Sequence, residues 1–417
     1  MRWVMIVLLF AHGKLSTQTP VDRALQDLTQ VIVHDVFSAP AASRIYAYTC
    51  IAGFEASRFG DQQYATLQAG LLDAPQLMKP KKWRKMDAAL AGAWAMYLTG
   101  RNFVYSEGML MAFCNANIGN NDTTSREYLY GKYVAEQVIQ WSLGDGYAQT
   151  RSMERFTPTG TPGSWEPTPP DFAPGLEPYW GLLRRFVKGT DTLHPLPPMS
   201  TFSTDTNSIW HSYSMQVMEK VRQLSDEERL IVMFWDDNPF AIVQHGHFQY
   251  AQKKVSPTGH WLDITRTALD SVHADPVKRA HAYALVSVAM ADAMYEAWEA
   301  KYQYRVLRPE TYINKYLDPN WRPLIVSPPF PEYPSGHSCV SAAAATILTQ
   351  LFGADFDFTD ASETQYDLPA RQFASFQQAA EEAGMSRFYG GIHFTKGVYA
   401  GTILGTTVAT HELKLLK

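Results

Sequence analysis

Apolar residues return at three- and four-residue spacing through ten segments of this 417-residue chain, and strict alternation is scarce. A period near 3.6 gives a helix one apolar face, whereas a strand needs a period of two, so the chain is predicted to be all-α. The helical segments are predicted at 20–38, 46–58, 83–101, 124–143, 224–236, 260–273, 276–304, 337–352, 367–384 and 393–413. No Gly-x-Gly-x-x-Gly or phosphate loop follows an apolar strand, which excludes the common dinucleotide and P-loop folds. No short-period solenoid repeat is present. Hydrophobic residues are 46% of the chain, enough for a large core in one domain or two coupled ones.

One stretch breaks the helical pattern. Between Pro158 and Pro198 lie ten of the 25 prolines, together with Trp165, Phe172, Tyr179, Trp180 and Phe186. Proline cannot continue a helix interior, so this segment runs mostly extended. Free linkers are seldom so aromatic, which predicts a connector pinned to its surroundings. The resulting division is an N-terminal helical half over 18–150, a packed connector over 151–200 and a C-terminal helical half over 201–417. The two halves are expected to be packed four-helix-type bundles.

Residues 1–17 read as an export signal: Arg2, an apolar run from Trp3 to Ala11, then His12, Gly13 and Lys14. Nine apolar residues cannot span a bilayer, which needs about 20. They do match the short apolar core of a secretory signal, predicting a periplasmic or secreted protein with no stable membrane insertion. The net charge of −5 argues against general nucleic-acid binding, which leaves a basic footprint. It does not exclude one concentrated anion pocket. Cys50, Cys114 and Cys339 form no Cys-x-x-Cys pair, so neither a zinc cluster nor a disulfide scaffold is expected.

Three short strings carry chemistry. In the first, Lys301 and Arg308 stand seven apart at the end of segment 276–304, and Trp298 shares a helix face with Lys301. Pro309 disfavours helical backbone at Arg308, which places that residue just past the helix end. The second string is Pro334-Ser335-Gly336-His337, a turn opening an Ala-rich helix. Its Ser335 hydroxyl and the N–H of Gly336 sit at a helix N-terminus, a natural seat for an oxyanion, with His337 beside it to move a proton. In the third, Arg387 and His393 are six apart, which an unbroken helix would point apart, but Gly390 and Gly391 supply a break between them. Each string alone has an ordinary structural explanation. Their order in one chain does not.

Together the strings resemble the signature of vanadium-dependent haloperoxidases and type 2 phosphatidic-acid-phosphatase-like acid phosphatases. That signature is K-x6-RP, PSGH and SR-x5-H, here Lys301 to Pro309, Pro334 to His337 and Ser386 to His393. The match spans 301–393 and puts the anion site in the C-terminal half. His260-Trp261 and the segment 165–172 look similar, more loosely, to the bacterial haloperoxidase-like branch. The resemblance implies that Lys301, Arg308 and Arg387 neutralise the oxygens of vanadate or phosphate, with hydrogen bonds from Ser335 and Gly336. It makes His337 the acid–base residue, with Lys301 polarising peroxide. His393 becomes the vanadium ligand in a peroxidase or the phosphorylated nucleophile in a phosphatase. The family often carries an acidic residue four positions after the second histidine. Here that position is Gly397, so another group must orient His393.

The signature alone does not separate the two chemistries. The peroxidase reading has one vanadate per chain, with hydrogen peroxide, halide and an organic acceptor as partners and a hypohalous acid as product. The alternative is a secreted acid phosphatase working through phosphohistidine, with no resident cofactor. Trp298 and Phe330 occupy positions where chloroperoxidases also carry Trp and Phe, and are the expected wall of a halide pocket. Chain length leans the same way, because the soluble phosphatases of the family are short. The haloperoxidase is the expected function.

Overall fold

The structure, a computed structural model, describes residues 18–60, 63–79, 86–118, 122–193, 196–239, 241–245 and 248–416. The export signal expected over 1–17 lies outside them. The N-terminal part holds α1 (Pro20–His34), α2 (Ala39–Ser57), α3 (Ala88–Gly100), α4 (Glu107–Ile118), α5 (Arg126–Ser142) and the single turn α6 (Tyr147–Thr150). After the connector come α7 (Ile209–Arg222), α8 (Asp226–Phe234) and the hairpin β1 (Ala241–His245) with β2 (Phe248–Gln252). The rest is α9 (Pro257–Ser271), α10 (Pro276–Tyr304), α11 (Pro309–Tyr316), α12 (Gly336–Phe352), a second hairpin of β3 (Phe358–Asp360) and β4 (Arg371–Phe373), then α13 (Phe376–Tyr389) and α14 (Thr395–Leu415). The chain is all-α apart from those two short hairpins among its described residues.

Local sequence explains where the helices begin. Thr19, Ser38, Ser256 and Asp275 cap α1, α2, α9 and α10 with their side chains, each followed by a proline in the first turn. A capping oxygen satisfies an orphan N–H, and proline has none to satisfy. Helix α10 is buried from Val277 to Trp298 on nearly every face, as a helix at the centre of a bundle must be. It packs on α2 to one side and on α12 and α14 to the other, so one apolar core joins both halves.

Four helices, α4, the single turn α6, α7 and α11, fall outside the segments that periodicity predicts. The predicted segment 367–384 is displaced: Arg371–Phe373 pairs as a strand, and the helix starts only after the Ser375 hydroxyl accepts the Gln378 N–H. The connector is irregular and pinned, with Trp165, Trp180 and Phe186 buried. Asp292 of α10 anchors it by accepting the N–H groups of Phe186 and Val187 at 2.7 and 2.9 Å. Phe172 instead points outward, 62% exposed.

Gly397, Gly401 and Gly405 recur every four residues on α14 and share one helix face. A Cβ on Gly401 would lie 2.3 Å from the Ser335 carbonyl oxygen, and one on Gly405 2.0 Å from that of Cys339. Helix α14 therefore rests directly on the backbone of α12, which fixes the start of α12 against the α13–α14 junction. Gly405→Ala meets rigid backbone, and overpacking of this kind costs about 1–3 kcal/mol. The urea midpoint of that variant should fall accordingly; an unchanged midpoint would contradict so close a contact.

Candidate active site

The end of α10, the start of α12 and the α13–α14 junction meet at one place. Helix α10 stops at Tyr304, where Arg305 turns the chain with a left-handed φ of 51°. Arg308 thereby becomes the residue before α11, fully buried. Ser335 caps α12, its Oγ accepting the Ser338 N–H at 3.3 Å and the Ser338 hydroxyl at 2.9 Å. Gly391, with φ 81°, breaks the chain after α13, so Arg387 in the last turn of α13 and His393 just before α14 face the same space.

That space is a cavity of about 400 Å³ lined by Trp298, Phe330, Gly336, His337, Arg387 and His393. Its opposite wall is the connector from Thr168 to Leu176 and the loop after α8, Asp236 to Pro239. The Trp298 and Phe330 rings stand 4.9 Å apart between centroids. Lys301, Arg308 and Ser335 lie behind this lining, each fully buried. Lys301 Nζ donates to the carbonyls of Pro331 at 2.9 Å, Glu332 at 3.1 Å and Pro334, clamping the segment that leads into α12. Burial, reinforced by the nearby Arg308 charge, holds its ammonium well below the usual lysine range.

The two arginines are held by backbone carbonyls. Arg308 donates through Nε to Phe330 O and through Nη1 to Ile392 O, both at 2.9 Å, and its Nη2 is buried with no partner. Burial lowers its pKa to about 10, so it stays cationic at neutral pH. Arg387 donates to the Trp235 carbonyl at 2.6 Å and to Ser386 Oγ at 2.9 Å, with Asp236 3.7 Å away. Burial also lowers its pKa, against the pull of Asp236 and Asp237. A cluster of buried guanidinium and ammonium groups makes a strongly positive pocket wall.

Both histidines are neutral here. Burial, then the Arg387 charge, pushes His337 well below its ordinary value, and its Nε2 has no hydrogen-bond partner. Burial, then the Arg308 charge, does the same to His393. His393 Nε2 lies 3.1 Å from Arg308 Nη1, and a guanidinium only donates, so Nε2 carries the lone pair. The proton therefore sits on Nδ1, 2.8 Å from Glu332 Oε1.

Residues 281–417 match the family described as the VCPO second helical-bundle domain. In structure the chain is similar to the first bacterial vanadium-dependent iodoperoxidase, with a TM-score of 0.88 and 35% identity over 96% of this chain and 97% of that one. The chain belongs to the vanadium-dependent haloperoxidase family. Apo-type and holo-type structures of bacterial vanadium-dependent chloroperoxidase share the fold, with TM-scores of 0.70 and 0.66 at 13% and 14% identity. They cover 91% and 97% of this chain and 94% of each of theirs. No curated protein sequence matches the chain.

Two features of this haloperoxidase were not read from the sequence. The first is Glu332, whose Oε1 also accepts the Phe394 N–H at 3.0 Å. Burial pushes its carboxyl up to about 7, opposed by Lys301 and Arg308. The nearest sequence signal was its place two residues before Pro334, which periodicity does not mark as functional.

The second is a buried row that begins at Asp237 on the cavity wall. Asp237 Oδ2 stands 3.8 Å from His337 Nε2, and Asp237 Oδ1 pairs with His260 Nδ1 at 3.0 Å. His260 Nε2 in turn pairs with Asp360 at 2.8 Å. Ligand atoms of Asp237, His260 and Glu363 fall within 4.8 Å of one another, yet His260 already uses both nitrogens on carboxylates. A proton holds this cluster. Burial works against the charged imidazole, but Asp237 and Asp360 outweigh it and raise its pKa well above 6.5. A folded pKa above the unfolded one gives stability that is complete below pH 6.5 and is lost as pH rises through the folded value. His260→Gln should remove that alkaline loss in urea melts at mildly acid and alkaline pH. Parallel losses in wild type and variant would show that His260 is uncharged.

Proposed function

We propose that the protein is a vanadate-dependent haloperoxidase that oxidises halide with hydrogen peroxide to a hypohalous acid. Two of the buried, unpartnered polar atoms in the site carry this reading, Arg308 Nη2 and His337 Nε2. A buried donor or acceptor left unpaired costs roughly 1–3 kcal/mol, so atoms of this kind call for a polar guest. The donor set suits an oxyanion: the guanidinium groups of Arg308 and Arg387, the Gly336 N–H at the α12 N-terminus and the Ser335 hydroxyl. His393 Nε2, with its lone pair, is the nitrogen available to vanadium. These residues fit vanadate, and the 35%-identical relative is a vanadium-dependent iodoperoxidase.

Vanadate, when bound, supplies a Lewis-acidic centre that activates hydrogen peroxide towards halide. The chain does the rest. The arginines offset the anion's charge, and Lys301 holds the Pro331–Pro334 carbonyls so that the α12 N-terminus is rigid. Neutral His337 can accept a proton at Nε2 from incoming peroxide and return it to the leaving product. Trp298 and Phe330 offer an apolar wall to a weakly hydrated halide, and iodide is the most readily oxidised. Export to the periplasm or medium belongs to this reading and rests on the apolar run Trp3 to Ala11. Among the described residues no helix is long and apolar enough to cross a membrane.

The test is a titration of vanadate-free protein with orthovanadate. Oxidation of iodide, bromide and chloride by peroxide is followed beside hydrolysis of an aryl phosphate. Halide oxidation should rise with vanadate and saturate at one equivalent per chain. Phosphate hydrolysis that vanadate inhibits, with no halide oxidation, would establish the phosphatase instead.

A further inference from the structure

Gly397 is the position where the family's carboxylate is missing, and Glu332 fills the space it leaves. A Cβ built on Gly397 would lie 2.1 Å from Glu332 Oε1, 2.8 Å from its Cδ and 2.9 Å from Oε2. No side chain at 397 coexists with Glu332 where it stands. Glu332 is fully buried, and its Oε1 is the partner of His393 Nδ1. The carboxylate thus reaches His393 from the segment before α12 and not from the first turn of α14, through the gap that glycine leaves.

From this geometry we infer that Glu332 is the positioning residue of His393, transposed from position 397, and that Glu332 and Gly397 form one interdependent pair. Its Oε1 accepts Nδ1–H and so keeps the lone pair on Nε2, which faces Arg308 Nη1 at 3.1 Å. A carboxylate on the far nitrogen fixes both the tautomer and the ring orientation of a ligating histidine, and losing one typically costs 10–100-fold in affinity. The identity of the guest at Nε2 rests on the haloperoxidase reading, but the tautomer does not.

Two readouts on the full-length protein separate these claims. The first is the ¹⁵N imidazole spectrum of His393 without vanadate, which reports the tautomer directly. Wild type should show Nδ1–H, and Glu332→Ala should show a mixture or the Nε2–H form. The second is orthovanadate affinity by equilibrium dialysis, which should weaken about 10–100-fold in Glu332→Ala. Gly397→Asp alone should also lose affinity, because two side chains then claim one space. The double variant Glu332→Ala with Gly397→Asp should recover both the Nδ1–H signal and most of the affinity. Glu332→Ala with Gly397→Ala relieves the crowding without restoring a carboxylate and should recover neither. If it recovers as well as the Asp double, or if Glu332→Ala keeps the wild-type tautomer, Glu332 is only a structural filler and the inference fails. Should Glu332→Ala not fold, Glu332→Leu, which fills the space without an acceptor, gives the same comparison with the Asp double. Wild type that shows the Nδ1–H form yet binds no vanadate would overturn the haloperoxidase reading and leave the pairing intact.

Discussion

His393→Ala should abolish tight vanadate binding and reduce halide oxidation to the level seen without vanadate. The imidazole offers the pocket a neutral nitrogen lone pair at Nε2, set by Glu332 behind it and by Arg308 Nη1 at 3.1 Å. Alanine removes that ligand and also strands Glu332, which keeps only the Phe394 N–H on Oε1. Losing only the carboxylate behind a ligating histidine typically costs 10–100-fold in affinity, so losing the imidazole itself should lower vanadate affinity ~10²-fold or more. Equilibrium dialysis and a peroxide–iodide assay at saturating vanadate check both parts. A variant that binds vanadate like wild type and still oxidises iodide would remove His393 from the ligand role. In a phosphatase the same variant would instead lose a phosphohistidine, and vanadate would act only as an inhibitor.

His337→Ala should separate binding from turnover. On this reading the anion's charge is still met by Arg308 and Arg387, both buried within the same site. What is lost is a neutral imidazole whose Nε2 has no partner of its own. Positioned proton transfer contributes typically ~10²–10⁴-fold, and turnover should fall by that factor while affinity changes far less. Equal losses in affinity and turnover would mean that His337 holds the anion and does not move protons. Asp237 stands 3.8 Å from Nε2 and is tied to His260 at 3.0 Å.

The sequence was most readable where chemistry is written in short contiguous strings. Lys301 to Pro309, Pro334 to His337 and Ser386 to His393 each specify their local backbone: a helix end, a capped helix start and a glycine break. The expectation that Arg308 sits beyond α10 follows from Pro309 alone, and the structure places it there, before α11. Partners distant in sequence were not readable. Glu332 and His393 are 61 residues apart, and His260 and Asp360 are 100 apart. No periodicity links such pairs, because packing brings them together. The gap at Gly397 was visible, but its occupant was not, since glycine encodes only space. Helix α4 escaped because its apolar residues show no dominant face, and only Leu110 and Cys114 are buried. Helix α13 was displaced because Ala379 to Gly384 extends a helical pattern back across residues that pair as β4.

Crystals of the protein soaked with orthovanadate, with vanadium located by its anomalous scattering, test the account most directly. It predicts one vanadium per chain in the cavity, bonded to His393 Nε2, its oxygens met by Arg308, Arg387 and the Gly336 N–H. A cavity without vanadium at saturating orthovanadate, or vanadium held there with His393 turned away, would contradict it.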